Sequence, residues 1–245
     1  MSQNRYCIII PTYNNCRTVA DVVARSVSVC RDVIVVNDGS TDQTAQVLAD
    51  LDVTVLTHER NRGKGQALKT GLKYADAHGY THAVTIDADG QHFPEDIPVL
   101  IEASEGNPND LIVGCRNLTS DNMPRGNTFA NRFSNFWFRL QTTQKLEDTQ
   151  SGFRIYPLDS VYGLWLLTSR YEAELELMVY AAWHGVKMRG VGVRVLYQPE
   201  GERVSHFRPF RDFLRITVLN TFLCFGAVLV GIPLFLVRKI KSCFR

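Results

Sequence analysis

The chain has no CxxC pair, no GxxxxGK[ST] loop, no GxGxxG after its first apolar run, no internal repeat and no low-complexity tract. The missing glycine motifs exclude a P-loop nucleotidase and a dinucleotide-binding first turn. Six cysteines, at 7, 16, 30, 115, 224 and 243, show neither paired metal-ligand spacing nor the density of a small secreted framework. Reduced thiols in a cytosolic setting are therefore expected. A net charge of only +2 gives no support to a nucleic-acid partner. The start, MSQNRYCIIIP, holds an apolar stretch only a strand long, closed by Pro11, and reads as a first strand, not a secretory leader. Long apolar runs are missing until residues 216–237.

What is present is enough for one globular domain with a short appendage: 245 residues, 45% of them hydrophobic. Residues 6–10, 32–36, 53–57 and 82–86 are short runs rich in Ile and Val, the pattern of buried strands. Helical patterns lie between them. Thr18 with Asp21 resembles a capping box before VADVVARSV, Thr41 is placed to cap TDQTAQVLADL, and residues 65–77 are good helix formers throughout. Strands alternating with helices predict an α/β fold, a mostly parallel sheet covered on both faces. Ligands bind such sheets at the carboxyl ends of the strands, where PTYNN, NDGSTD, ERNRGKG and DADGQH all fall.

Within DADGQH, Asp87 and Asp89 point the same way if the strand continues through them. Two carboxylates plus the amide of Gln91 suit Mg²⁺ or Mn²⁺ and leave positions open for phosphates, although the segment alone fits an acidic turn equally well. A calcium loop fits badly, because the glycine comes fourth and Pro98 stands where an EF-hand needs glutamate. Asp38 is placed to accept hydrogen bonds from a base or ribose. Gly63 and Gly65 would let backbone approach an anion, with Lys64 supplying charge. Each loop singly is explained by a turn or a cap. Four of them at one sheet edge are not.

In order, PTYNN, VVNDGSTD, NRGKGQALKTG, IDADGQHFPED, GCR and DTQSGFRIYP resemble a family 2 glycosyltransferase with the GT-A fold, over about residues 5–200. The likeness falls nearest the dolichyl-phosphate mannose synthase group of polyprenyl-phosphate glycosyltransferases. It implies a UDP- or GDP-hexose donor, a polyprenyl-phosphate acceptor, inversion at the anomeric carbon, and Mg²⁺ or Mn²⁺. Carried over by position, it implies that Pro11, Tyr13, Asp38 and Lys64 meet the nucleotide sugar, with Asp87 close to both nucleotide and metal. Asp89 and Gln91 would complete the metal ligands. Asn14 replaces the family's PTYNE acid, which puts one donor contact in question.

For the acceptor half, the resemblance implies that Arg116 and Arg132 bind phosphate and that Arg203 belongs to a loop closing over donor and acceptor. A solvated helix charge accounts for Arg132 equally well. Asp148 matches the position from which family members orient or deprotonate the acceptor. A phosphate nucleophile is already ionised, so with that acceptor Asp148 positions groups, whereas a hydroxyl acceptor would need it as a base. Asp89 and Asp148 are thus the residues expected nearest the chemistry. Glu174 is expected to be a surface or structural acid, and Trp165 and Trp183 core residues.

The domain is expected over residues 1–204, and residues 205–245 form a basic, apolar tail that associates with the cytoplasmic face of a membrane. Arg203, His206, Arg208, Arg211 and Arg215 suit anionic headgroups. Basic residues at both ends of 216–237, with Gly231 and Pro233 breaking the helix near its end, favour a membrane-embedded or interfacial helix, with or without a short re-entrant turn, over a simple span; a buried soluble helix is the weaker alternative. Two other functions stay open: transfer to another lipid or hydroxyl acceptor, and an idle sugar-nucleotide-binding scaffold. Oligomeric state is left open.

Overall fold

In the computed structural model, described over residues 4–116, 125–161, 163–164, 166–196 and 209–243, the Ile- and Val-rich runs become the strands of one seven-stranded sheet. The strands are β1 (Tyr6–Thr12), β2 (Val33–Asn37), β3 (Thr54–Thr57), β4 (His82–Thr85), β5 (Leu111–Arg116), β6 (Arg154–Pro157) and β7 (Met188–Val193), in spatial order 3-2-1-4-6-5-7. Six run parallel. β6 alone is reversed, pairing antiparallel with both β4 and β5.

Helices α1 (Val19–Val29), α2 (Thr44–Ala49), α3 (Lys64–Ala77) and α4 (Ile97–Glu105) make the crossovers of the first half. Alternation in β1 and β2 sends Ile8, Ile10, Val33 and Val35 to one face, with Val19, Val22 and Val23 of α1. Ile9, Ile34 and Val36 go to the other, with Leu68 and Leu72 of α3. That second face also takes α5 (Arg125–Thr142), the short α6 (Leu158–Val161) and α7 (Glu172–Trp183), with Trp183 buried as expected. The described cysteines Cys7, Cys16, Cys30, Cys115 and Cys224 are free.

Several local expectations change. Thr18 precedes α1 but caps nothing with its side chain; its hydroxyl donates instead to the Ala88 carbonyl at 2.6 Å, tying α1 to the loop after β4. Thr41 does not cap α2, which starts at Thr44, where Asp42 Oδ1 accepts the Thr44 N–H. Gly231 and Pro233 do not end the last helix. α8 (Pro209–Gly226) runs through a π turn, Ala227–Gly231, into α9 (Ile232–Cys243), without a re-entrant turn. Pro233 lacks an N–H for the Leu229 carbonyl and its ring crowds that oxygen; the wider turn accommodates both effects.

Candidate active site

Strand order reverses at β1, between β2 and β4, so the crevice at their carboxyl ends is the topological switch point of the sheet. Pro11 closes toward it from β1 and is buried; Tyr13 and Asn14 follow, half-buried. Asn14 has φ 52°, a conformation Asn tolerates. Its Oδ1 accepts the Thr41 N–H at 2.8 Å and its own N–H donates to Ser40 Oγ at 3.0 Å, so it binds the β1 and β2 loops together.

Asp38, after β2, is buried. Oδ1 meets His58 Nδ1 at 2.6 Å and the Arg62 N–H at 2.9 Å, and Oδ2 accepts the Gly63 N–H at 2.7 Å. His58 Nε2 in turn meets Thr70 Oγ1 at 2.9 Å. The carboxylate therefore organises the whole β3–α3 loop. Gly63 and Gly65 also have a packing role. A Cβ on Gly63 would lie 2.6 Å from the Ser169 carbonyl, and one on Gly65 would collide with Ala173, so both glycines let α3 press against the start of α7.

Lys64 points into the site. Its Nζ lies 2.7 Å from Asp87 Oδ1 and 3.0 Å from Glu174 Oε2. Burial disfavours the ammonium, but the two carboxylates more than offset it and its pKa is raised. The same contact lowers the pKa of Asp87 against its own desolvation. Glu174 is thus no surface acid: it is buried on the first turn of α7, with its backbone carbonyl accepting Arg154 Nη1 at 3.1 Å. Arg154, 1% exposed, also donates to Tyr156 and to the Thr149 carbonyl. Gly152 makes room for this cluster, since a Cβ there would sit 2.7 Å from Asp87 Oδ2 and 2.8 Å from Lys64 Nζ.

β4 ends at Thr85, so strand alternation does not govern Asp87 and Asp89. Asp87 turns toward Lys64, while Asp89 Oδ1 accepts the Gln91 N–H at 2.9 Å in its own turn. The next residue, His92, is buried with Nδ1 lacking a hydrogen-bond partner among the described residues. Burial pushes its pKa down to about 4, so the ring is neutral. The donors here are hard oxygens on one loop: two carboxylates, one held ionised, and an amide. Their chemistry suits Mg²⁺ or Mn²⁺, although among the described residues no three His, Cys, Asp or Glu side chains gather to hold an ion.

On the other side of β4, the reversed strand brings Asp148 to the same edge, fully buried. Its Oδ2 accepts from Arg116 N at 3.2 Å and Nε at 2.6 Å. Its Oδ1 accepts from Arg116 Nη2 at 2.9 Å, Asn131 Nδ2 at 2.6 Å and Gln150 N at 3.1 Å. Five donors fill the roughly four lone-pair sites of a carboxylate. Burial raises the pKa of Asp148, but the Arg116 fork outweighs it and the net shift is downward. Arg132, beside Asn131 on α5, is exposed. Arg203 lies outside the described residues, as do Trp165, His206, Arg208 and the side chain of Arg211.

Asn131, His58 and Arg154 are not singled out by the sequence. Arg154 had a visible signal, a lone arginine inside the apolar run Phe153–Tyr156; the other two had none that separates them from surface polar residues.

A nucleotide-type crevice at a switch point, flanked by a reversed strand that delivers a second set of charged residues, defines a GT-A-like fold. Solved glucosyl-3-phosphoglycerate synthase from Mycobacterium tuberculosis, in complex with Mn²⁺, UDP-glucose and phosphoglyceric acid, has this fold: TM-score 0.66 at 19% identity over 92% of this chain and 80% of that one. The model of glycosyl transferase family 2 matches residues 7–161, and the chain belongs to that family and is a glycosyltransferase. The UDP-N-acetylglucosamine–dolichyl-phosphate N-acetylglucosaminyltransferase of Methanococcus voltae is 30% identical over 80% of this chain and 88% of its own length. The undecaprenyl-phosphate mannosyltransferase of Micrococcus luteus is 30% identical over 65% of this chain and 69% of its own.

Proposed function

We propose that the chain transfers a hexose from a UDP- or GDP-sugar to a polyprenyl phosphate, with inversion, at the cytoplasmic face of a membrane. Relatives named for transfer to dolichyl and undecaprenyl phosphate support the acceptor class. The observation that carries the reading is the saturated Asp148 carboxylate. It has no lone pair left to take a proton from a hydroxyl, and its lowered pKa makes it a weak base. A phosphate monoester, with a second pKa of about 6, arrives already ionised and needs none.

Asp148 then acts by holding Arg116 with its fork fixed at the edge where acceptor phosphate enters. Arg132, on the exposed face of α5, and Arg203 add charge to that phosphate. Pro11, Tyr13, Asn14 and Asp38 shape the nucleotide crevice, and Lys64 meets the donor's diphosphate. Asp87, Asp89 and Gln91 would hold Mg²⁺ or Mn²⁺, whose chemistry there is to offset charge on the departing nucleoside diphosphate. The solved relative of this fold, in complex with Mn²⁺ and UDP-glucose, supports the choice of ion. With donor and acceptor aligned in line, the sugar changes partner in one displacement. The catalytic domain covers residues 1–204, and residues 205–245 attach it to the membrane.

The test is transfer from a panel of labelled UDP- and GDP-sugars, with Mg²⁺ or Mn²⁺, into organic-extractable product in membranes supplemented with polyprenyl phosphate. Label should enter a mild-acid-labile lipid and vanish with Asp89→Ala. Label in an acid-stable lipid would replace the phosphate acceptor with a hydroxyl one; donor binding without any transfer would leave an idle scaffold.

A further inference from the structure

The apolar stretch Leu214–Arg238 is 25 residues long, enough to cross a bilayer by length and composition. At 1.5 Å per residue it measures about 37 Å, against a hydrocarbon core of about 30 Å. A crossing would therefore use nearly all of it, the middle included. The middle is already occupied. Leu219, Asn220, Leu223 and Ala227 are buried along one stripe, and the helix packs there on α5 and α7. Gln141 Nε2 on α5 donates to Asn220 Oδ1 at 2.9 Å. The Trp183 ring of α7 lies so close that a Cβ on Gly226 or on Gly231 would come within 2.7 Å of it. At the far end, Arg238 lies over Gly185, just past α7.

The attachment thus runs from Leu219 to Arg238. To stand the helix across a membrane would carry α5 and α7 to the same depth, together with Arg139, His184 and Lys187, all exposed on or beside them. Ionisable groups at that depth are strongly disfavoured. The opposite side of the same helix is apolar and open: Phe222, Phe225 and Leu229 are 68%, 66% and 75% exposed. Its flanks are basic at both ends, Arg215 at the start and Lys239, Lys241 and Arg245 after, with no acidic residue beyond Asp212.

We infer that this helix lies in the plane of the membrane, its open face sunk into one leaflet and both basic ends among anionic headgroups of that same leaflet. The inference rests on the membrane reading proposed above and adds its geometry. A one-sided apolar face with basic flanks is the pattern of an interfacial helix, and two basic ends on one side need no translocation.

The test uses the full chain with Phe222→Trp, Leu229→Trp or Phe235→Trp, each checked for the parent's unfolding midpoint. The proteins are floated with phosphatidylcholine vesicles, with and without phosphatidylglycerol. Quenching added over the parent is then read from lipids brominated at shallow or deep acyl positions. The expected result is flotation that strengthens with phosphatidylglycerol, and shallow quenching of similar strength at all three positions. Deep quenching at 229 with shallow quenching at the other two would mean a crossing, and would overturn the geometry while leaving the membrane reading intact. No flotation on either vesicle, with a dimer by sedimentation, would overturn both and assign the face to a second copy.

Discussion

Arg116 donates to Asp148 through Nε at 2.6 Å and Nη2 at 2.9 Å, so the end of β5 and the segment leading into β6 are clasped by one fork. Asp148→Ala would leave a largely buried guanidinium without its counter-charge. Breaking such a pair from one side costs about 3–5 kcal/mol. A urea titration should show a loss of that order, with sugar transfer falling as well. A variant as stable as the parent yet inactive would argue instead for Asp148 as the base.

Acid should weaken the fold in two steps. His92 titrates at about 4 in the fold because burial disfavours its cation, against about 6.5 in the unfolded chain. Its contribution is full above that unfolded value and is lost as pH falls toward 4. Asp148, lowered in the fold, contributes above the unfolded carboxylate value of about 3.9 and loses that contribution as pH falls through its folded pKa. Stability measured by urea in EDTA should decline below about pH 6.5, and His92→Gln should flatten the upper part of that decline.

Gly152→Ala places a methyl against Asp87 Oδ2 and Lys64 Nζ, both under 3 Å from an ideal Cβ. Overpacking of this kind costs about 1–3 kcal/mol. Transfer should fall further than that loss of stability explains, because the displaced groups are the proposed metal and diphosphate contacts. Calorimetry of Mn²⁺ binding, next to a thermal melt, separates the two; unchanged Mn²⁺ affinity would remove Asp87 from the metal site.

Burial pushes the Cys7 thiol up to about 12 and the Cys115 thiol up to about 11. The thiolate is the reactive form, so neither should be alkylated at pH 8 in the native protein. Mass spectrometry after iodoacetamide should find both unmodified until denaturant is added. Modification of either in the folded state would mean that its strand opens.

The half of the site built on β1 to β4 was legible because its code is local. Apolar runs of strand length, each followed by a polar loop, place Pro11, Asp38, Lys64 and Asp87 at one edge without knowledge of any long-range contact. β6 was not, because a four-residue strand that begins with a fully buried arginine carries no alternation to read. Glu174 looked like any helical glutamate; its burial depends on Lys64 and Arg154 arriving from two other elements. Thr18 and Thr41 have the composition of caps, and tertiary partners overrode it. Pro233 signals a helix end by its chemistry, yet a π turn one residue wider absorbs it.

The reversed strand also sets the order in which the sheet can be assembled. β2, β3 and β4 each find a neighbour among strands already made, so this half of the sheet can close as the chain emerges. β5 cannot, because β6 lies between it and β4, and β7 has only β5 to pair with. β5 and β7 can pair with each other but join the rest of the sheet only through that one four-residue segment, so closing the chain between β4 and β6 is expected to be the slow stage of folding.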